Sequence, residues 1–203
     1  LSWTTVIFRI AMETGCRIFA AGFRFCILSE RNLTVMYKII RKEVLNPTIT
    51  LLEIEAPFVA KKAKPGQFII LRIDEKGERL PLTIGGFDRE KGTVTIIFQL
   101  VGLTTKALAK LNPGDYLLDF VGPLGMPTET EGIKRVCVIG GGLGTAIAYP
   151  VAKGFHDAGA ETDVIVGFRS KDLVILEDDF RNACDNFYIM TDDGSYGEQG
   201  FTT

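Results

Sequence analysis

Histidine is nearly absent from this 203-residue sequence and cysteine is scarce, with one histidine and four cysteines. The cysteines lie at positions 16, 26, 137 and 184, which gives neither a C-x-x-C pair nor the spacing of a metal site. Cys137 lies inside an apolar run, so we expect it to be a small buried hydrophobic residue. This cysteine usage fits a reducing compartment, and we expect a cytoplasmic protein.

Excess charge and long hydrophobic runs are also lacking. The formal net charge of −2 gives no electrostatic reason to expect nucleic acid or an anionic membrane surface as a partner. No uncharged run approaches the roughly 20 residues that a membrane-spanning helix needs. The hydrophobic content of 46% over 203 residues suits two small globular domains, and small molecules are the expected ligands.

The first 35 residues mix aromatic residues with arginines and show no clean helical or strand period. The chain begins at Leu1, and Met36 is a more natural start. An arginine-rich, acid-poor segment is also typical of an organellar transit peptide, but Glu13 and Glu30 argue against that interpretation. We therefore expect residues 1–35 to be a poorly ordered extension or translated upstream sequence.

Short β-type runs separated by turn residues fill the segment from Met36 to about Thr130. Many short strands at regular spacing predict an antiparallel barrel, interrupted by one short helix over 104–111. The expected strands are 37–45, 48–56, 67–73, 93–100 and 116–121.

An apolar run breaks abruptly into glycines and then into helix-forming residues within 135–145, which predicts a strand, a tight turn and a helix. Gly140 and Gly142 can adopt backbone angles closed to other residues and can let an anion approach the main chain. The helix start adds free N–H groups and a positive dipole end, which favour a phosphate. A dinucleotide pyrophosphate is the expected ligand, and a merely flexible turn is the alternative.

The segment after the glycines continues with apolar residues at helical spacing over 145–158 and with a second buried-type strand over 162–168. Strand, helix and strand in this order predict a βαβ unit whose ligand lies at the carboxyl ends of the strands. A third strand is expected over 187–191. At the end of the second strand, where a nucleotide-binding domain often has an acidic residue that binds the ribose, this chain has Arg169. Arg169 could stack on adenine, bind a 2′-phosphate or simply be solvated. The choice between NAD and NADP therefore stays open.

Pro-Gly-Gln-Phe at 65–68, Arg-Leu-Pro-Leu-Thr-Ile at 79–84 and Gly-Pro-Leu-Gly at 122–125 precede the glycine stretch. Each is a turn on a plain interpretation, but in this order they resemble the ferredoxin-NADP reductase superfamily. The closer likeness is to the branch that contains the electron-transfer subunit of type B dihydroorotate dehydrogenase, sulfide dehydrogenase and the small subunit of NADH-dependent ferredoxin:NADP oxidoreductase. The resemblance covers 36–203. It implies an FAD-binding antiparallel barrel over 36–130 and an α/β Rossmann-like NAD(P)-binding domain over 131–203.

The resemblance also implies roles for single residues. Thr83 would place its hydroxyl near the flavin N5 and is the catalytic candidate. Arg79 stands one place earlier than the arginine of the family pattern, so it would lie near the pyrophosphate or on a solvated strand edge. The implied flavin contacts are Arg79, Leu80, Pro81, Leu82, Thr83, Ile97, Phe98, Gln99, Thr104 and Thr105; Thr104 could instead be only a helix cap. The implied nicotinamide contacts are Gly140, Gly141, Gly142, Leu143, Gly144, Thr145, Arg169, Asp193 and Gly194.

The implied activity is that of a flavin-dependent oxidoreductase that passes a hydride between NAD(P)H and FAD. The electrons would go on to a larger catalytic flavoprotein or iron–sulfur subunit, or to a ferredoxin. Full-length relatives continue with further strand and helix and with cysteines for a [2Fe–2S] centre, so we expect a C-terminally truncated domain without cluster ligands. The alternatives are the dihydroorotate dehydrogenase electron-transfer subunit specifically, and a catalytically incompetent fragment or assembly module.

Overall fold

The structure, a computed structural model, describes residues 17–21, 24–28 and 36–202. Near the N-terminus, β1 (Arg17–Ala21) and β2 (Arg24–Leu28) pair antiparallel, with Arg17 opposite Leu28. They belong to a unit separate from Met36–Thr203. The expectation of a poorly ordered extension falls mostly on residues outside those described, and it stays a prediction.

An antiparallel sheet of seven strands forms the first part of the larger unit, in the order β8-β3-β4-β7-β6-β5-β9. This arrangement confirms the expected antiparallel barrel-type sheet. Its elements are β3 (Tyr37–Asn46), β4 (Ile49–Glu55), α1 (Pro57–Lys62), β5 (Phe68–Arg72), β6 (Leu80–Asp88), β7 (Thr93–Gln99), α2 (Leu103–Leu108), β8 (Tyr116–Leu117) and β9 (Asp119–Leu124).

Two elements of this sheet differ from the expectation. Strand β6 was not among the expected strands, and it contains Pro81 and the glycines at 85 and 86, which are poor strand residues. The strand expected over 116–121 is instead divided between β8 and β9 at Leu118, whose N–H donates to the Arg72 carbonyl at 3.0 Å. Strand β6 matters most, because it carries most of the predicted flavin contacts.

Strands β4 and β7 are buried on both faces, unlike a surface strand with one solvated face. Leu52 and Ile96 fill the barrel core, together with Ile39, Ile54, Ile69, Leu71, Ile84 and Phe98. On the opposite face, Ile49, Leu51 and Ile97 join a second core with residues of the C-terminal part. The outer face of β4 and β7 therefore packs against the C-terminal part of the chain.

A parallel sheet of four strands, in the order β10-β11-β12-β13, forms the second part. Its βαβ unit confirms the predicted strand, turn, helix and strand. The elements are β10 (Arg135–Gly141), α3 (Gly144–Asp157), β11 (Glu161–Phe168), a 3₁₀ helix (Lys171–Leu173), α4 (Glu177–Arg181), β12 (Asn186–Thr191) and β13 (Glu198–Gln199). No helix within the described ranges is long and apolar enough to cross a membrane.

Alternate residues of β10 lie on opposite faces of the parallel sheet. Val136 and Val138 are half-buried, whereas Cys137 and Ile139 are exposed, Ile139 to 56%. The expectation that Cys137 is buried is therefore wrong. An apolar run marks a strand, but which of its faces is buried depends on what packs there, and residues 36–202 cover only one.

Candidate functional site

A cleft of about 450 Å³ lies between the end of the antiparallel sheet and the carboxyl ends of the parallel strands. From the antiparallel sheet, Asn46, Thr48, Ile49 and Gln99 line it. From the parallel sheet and its loops, the lining residues are Gly142, Leu143, Gly167, Phe168, Arg169, Leu173, Asp192, Phe201 and Thr202. The position agrees with the rule that ligands of such sheets bind at the carboxyl ends of the strands.

A hydrogen bond between Asn46 and Leu173 joins the two sides of this cleft. Asn46 is 6% exposed, and its side-chain amide donates to the Leu173 carbonyl at 3.3 Å. Its Oδ1 accepts from the Thr48 N–H at 2.9 Å and from the Thr48 hydroxyl at 3.0 Å. The amide thus ties β3 to the 3₁₀ helix while both its oxygen and its nitrogen are satisfied.

The glycine turn uses its glycines for different purposes. Gly142 has a φ of 53°, and its N–H donates to the Gly167 carbonyl at 2.9 Å, so a left-handed backbone is needed there. Gly140 has no positive φ, contrary to the expected use of unusual angles. A Cβ at Gly140 would lie 3.0 Å from Thr145 Cα and 3.1 Å from Ala148 Cβ. Gly140 therefore lets α3 pack closely on β10.

Space and hydrogen-bond donors remain at the start of α3. No atom lies within 4 Å of the position that a Cβ would take at Gly142 or Gly144. The first N–H groups of a helix have no acceptor within the helix, so those of Leu143 and Gly144 are available to a ligand. Thr145 is fully buried, and its hydroxyl is without a hydrogen-bond partner among the described residues. The turn fits the phosphates of a dinucleotide.

The loop after β12 is hydrogen-bonded to the end of β11. The Asp192 N–H donates to the Phe168 carbonyl at 3.0 Å, and the Asp193 N–H donates to the Arg169 carbonyl at 3.3 Å. The Lys171 N–H donates to the Ser195 hydroxyl at 2.8 Å. These bonds continue the β11–β12 pairing beyond the strands and fix the backbone that carries Arg169 in the cleft.

The predicted contacts Asp193 and Gly194 are exposed in this loop and do not line the cleft. The Asp193 carboxylate accepts the Ser195 N–H at 2.9 Å, and hydrogen bonding from Ser195 lowers the pKa of Asp193. Gly194 has a φ of 70°. The neighbouring Asp192 does line the cleft; its place at the carboxyl end of β12 is a signal that sequence reasoning could have used.

A tyrosine anchors the other side of this loop. The Tyr196 hydroxyl donates to Glu177 Oε1 at 2.9 Å, and Arg181 donates to the same oxygen at 2.7 Å. Arg181, with a smaller contribution from Tyr196, lowers the pKa of Glu177, and the Glu177 carboxylate raises the pKa of Tyr196. The Thr191 hydroxyl also donates to the Tyr196 carbonyl at 2.6 Å. The loop is therefore held at both ends.

Strand β6 separates the predicted flavin residues onto two faces. Leu82 packs against the barrel core, so the half-buried Thr83 lies on the outer face. Gly85 lies on the outer face as well, where a Cβ would lie 3.3 Å from Ile97 Cγ1. The structure thus brings Thr83 and Ile97 to the same side of the sheet. Phe98 is only 1% exposed and lies within the barrel core, so its side chain is not available to a ligand.

The segment before β6 meets the start of α2. The Thr104 hydroxyl donates to Glu78 Oε2 at 2.8 Å, next to the exposed Arg79. Leu80 packs against the barrel core and Pro81 is exposed. These contacts place Thr104 beside the segment that was predicted to hold the flavin.

Helix α2 has Gly102 as its N-cap residue, and Thr105, rather than Thr104, hydrogen-bonds back to the start of the helix. Its hydroxyl accepts from the N–H groups of Val101 at 3.1 Å and Gly102 at 3.0 Å, and it donates to the Gly102 carbonyl at 3.1 Å. This hydroxyl is fully used within its own turn. A phosphate at this helix start would therefore be bound through main-chain N–H groups.

Comparisons with known proteins agree with the sequence resemblance, although no family model matches the chain. The chain is 53% identical over 172 residues to an uncharacterised protein of the adh 3′ region of Clostridium beijerinckii. This match covers 81% of this chain and 58% of the relative. It is 40% identical over 170 residues to a homolog of the dihydroorotate dehydrogenase B (NAD(+)) electron transfer subunit from Thermotoga maritima. This second match covers 84% of this chain and 60% of the relative. The chain thus spans about three fifths of the length of these relatives.

A solved structure of an NADH-dependent reduced ferredoxin-NADP oxidoreductase, studied for flavin-based electron bifurcation, has a similar fold. The TM-score is 0.76 at 38% identity, covering 83% of this chain and 61% of that chain. Electron transfer subunits of dihydroorotate dehydrogenase B from Bacillus and Streptococcus species are 31% identical, over 87% of this chain and 68% of each relative. The chain therefore belongs to the family of dihydroorotate dehydrogenase B electron transfer subunits, in the branch of the ferredoxin-NADP reductase superfamily that includes the NADH-dependent ferredoxin-NADP oxidoreductase.

Proposed function

We propose that this chain is a flavoprotein oxidoreductase that passes a hydride between NAD(P)H and FAD. FAD would bind on the antiparallel domain, 36–130, and the nicotinamide dinucleotide on the domain 131–203. The observation that carries the proposal is the cleft itself, in which Gln99 of β7 and the turn residues Gly142 and Leu143 line the same space. A ligand held at the turn can therefore reach a ligand held on the barrel.

The nicotinamide dinucleotide would be held mainly by main-chain groups. Gly142 and Gly144 leave open space, and the start of α3 offers N–H donors and a positive dipole end. Arg169 would contact the ribose or its 2′-phosphate. Its backbone is fixed by the hydrogen bond from Asp193, so the guanidinium extends from a defined point.

The flavin would be held on the outer face of β6 and at the start of α2. Thr83 would hydrogen-bond near N5, Gln99 would contact the ring system and Arg79 the pyrophosphate. Ile97 is 8% exposed and packs in the second core, so it would support the flavin only through its main chain. When bound, the flavin supplies the chemistry, since its N5 accepts the hydride of a reduced nicotinamide. The chain would orient the two rings and exclude water, and no acid–base pair is required.

The electrons would leave for a partner subunit. Relatives are named as electron transfer subunits, and the similar solved structure is a ferredoxin-NADP oxidoreductase. A larger flavoprotein or iron–sulfur subunit, or a ferredoxin, is the proposed acceptor. The names of the relatives also favour a second candidate, the electron transfer subunit of a dihydroorotate dehydrogenase.

Anaerobic spectroscopy of the purified full chain tests the proposal. We expect a flavin absorption spectrum that bleaches within one turnover when NADH or NADPH is added, and the two additions separate the nicotinamides. A flavin spectrum that neither nucleotide bleaches would leave only the alternative of a catalytically incompetent fragment or assembly module. If the chain retains no flavin after reconstitution with excess FAD, the proposed FAD binding by the antiparallel domain is wrong as well.

A further inference from the structure

Apolar packing supplies most of the contact between the antiparallel part, 36–130, and the parallel part, 131–202. Ile49, Leu51 and Ile97 of the antiparallel sheet lie in one buried cluster with side chains of α3, β11 and β12. Apolar contact is non-directional, because its free energy depends mainly on the area removed from water. This packing therefore holds the two parts together but leaves their alignment at the cleft to more directional contacts.

A single hydrogen bond joins the two parts, and it lies at the cleft. The side-chain amide of Asn46, a residue only 6% exposed, donates to the Leu173 carbonyl at 3.3 Å. Within 36–202, no other hydrogen bond or ion pair connects the antiparallel part with the parallel part. The bond from Asn46 is therefore the directional contact that aligns the two sides of the cleft.

On the antiparallel side, Asn46 is connected to the end of β7. Its Oδ1 accepts from the Thr48 N–H at 2.9 Å and from the Thr48 hydroxyl at 3.0 Å. The Thr48 carbonyl accepts the N–H of Leu100 at 2.9 Å, directly after Gln99. Thr48 and Gln99 line the cleft, and Gln99 is a proposed flavin contact. Asn46 is thus tied to the strand end beside which the flavin would lie.

On the parallel side, Leu173 belongs to the segment that carries Arg169. Leu173 ends the 3₁₀ helix, and its N–H donates to the Ser170 carbonyl at 3.1 Å. The Lys171 N–H, at the start of this helix, donates to the Ser195 hydroxyl at 2.8 Å. Arg169 and Leu173 line the cleft together. A shift of the Leu173 carbonyl would therefore shift the backbone of a proposed nucleotide contact.

We propose that Asn46 is a positioning residue for hydride transfer, which sets the distance between the flavin on the antiparallel part and the nicotinamide on the parallel part. The inference rests on the proposed function. In the transfer, a C–H bond of the reduced nicotinamide breaks and an N–H bond of the flavin forms. The hydride carries both electrons, so the nicotinamide is oxidised and the flavin is reduced. A misplacement of about 1 Å costs such a step about a hundredfold in rate.

N46D tests the proposal, because aspartate has nearly the same shape as asparagine. Its carboxylate keeps an acceptor for Thr48 but offers no N–H to the Leu173 carbonyl. At saturating NADH or NADPH, whichever reduces the wild type faster, we expect the rate of flavin reduction per bound flavin to fall by about tenfold to a hundredfold. The dissociation constant of the nucleotide should change less than about threefold. Anaerobic stopped-flow absorbance of the FAD-loaded full chain gives both values, from the dependence of the rate on nucleotide concentration.

A pH profile separates positioning from a general loss of structure. Once protonated, the carboxyl group introduced by N46D can donate its O–H to the Leu173 carbonyl, and burial raises the pKa of a carboxyl group. The rate of N46D relative to the wild type should therefore recover as the pH falls from about 8 to about 5. Arg169 and Asp192, the charged residues that line the same cleft, are present in both proteins, so their titration cancels in this ratio. A variant that is merely destabilised would show no recovery.

N182D is the matched control. Asn182 is exposed at the end of α4, its side-chain amide donates to the Asp178 carbonyl at 2.7 Å, and it does not line the cleft. The same chemical change at this position should leave the rate of flavin reduction unchanged. If N46D does not retain flavin, N46A answers the same question, because it removes both bonds of the side chain without adding a charge.

The outcomes separate this inference from the proposed function. If the wild-type flavin is reduced and a flavin-loaded variant, N46D or N46A, is reduced at the wild-type rate, the positioning proposal is wrong and the proposed function stands. Loss of flavin from both variants would also overturn the positioning proposal, because Asn46 would then serve the fold of the flavin site. If neither nucleotide reduces the wild-type flavin, both the proposed function and the positioning proposal fail.

Discussion

The two helices that begin beside the predicted ligands, α2 on the antiparallel side and α3 on the parallel side, are built differently. Helix α2 has six residues, and the hydroxyl of Thr105 is used within its own cap. Helix α3 has 14 residues and begins with open space at Gly142 and Gly144. The start of α3 has open space and free N–H groups that the proposed phosphate could use, whereas at α2 the side-chain hydroxyl is already hydrogen-bonded and only main-chain groups remain for a ligand.

The largest expected effect separates two glycines of the α3 turn. G140A places a Cβ 3.0 Å from the backbone of Thr145, and crowding of this kind lowers the free energy of unfolding by about 2 kcal/mol. G144A, with no atom within 4 Å, should leave it unchanged or slightly higher. Urea denaturation followed by circular dichroism measures both values. Equal stabilities would show that Gly140 does not serve close packing.

The next effect concerns the cap of α2. T105A removes the acceptor of the Gly102 N–H and one of two acceptors of the Val101 N–H, which also donates to the Gln99 carbonyl at 3.0 Å. The change should cost about 1 kcal/mol of stability, with a lower retained flavin content. T104A removes only a bond to the exposed Glu78 and should cost less than about 0.5 kcal/mol. Thermal unfolding with and without added FAD distinguishes them. A larger loss of stability in T104A than in T105A would show that the Thr105 hydroxyl does not stabilise the start of α2.

A smaller effect is expected on the parallel side from the loop that fixes Arg169. S195A leaves the Lys171 N–H without its side-chain acceptor, and the loss of one hydrogen bond should raise the KM for the nicotinamide nucleotide about threefold to tenfold. The kcat should stay constant, because Ser195 lies outside the cleft. S195T keeps the hydroxyl and should restore the KM. A fall in kcat without a change in KM would contradict this positioning role.

The smallest expected effect is a dependence of stability on pH. Hydrogen bonds from Arg181 and Tyr196 lower the folded-state pKa of Glu177, so its stabilising contribution is present above the unfolded-state pKa of about 4.3 and is lost as the pH falls through the lower, folded value. E177Q should therefore reduce the difference in thermal midpoint between pH 7 and acidic pH. An unchanged difference would show that Glu177 is not linked to folding.

Much of the parallel part could be predicted from the sequence, because its signals are local. The apolar run of β10, the glycines and the helical spacing of α3 each determine the structure of their own segment. The βαβ unit follows from their order.

The errors arose where tertiary contacts decide. Cys137 is exposed because one face of β10 is not covered within 36–202. Gly140 serves packing rather than an unusual backbone angle, since only the position of α3 creates the close contact. Strand β6 was missed because pairing with β5 and β7 outweighs the poor strand propensity of Pro81 and Gly85.

The packing of the outer face of β4 and β7 affects how a ligand can enter the cleft. Ile49, Leu51 and Ile97 pack in one cluster with Ala146, Ala148 and Ala152, the last three on α3. A hinge motion that separated the two sheets would expose these side chains to water, at a cost of roughly 25 cal/mol for each Å² uncovered. The proposed nucleotide should therefore enter and leave through a cleft that is already open, and its rate of association should depend on diffusion and loop adjustment rather than on separation of the two sheets.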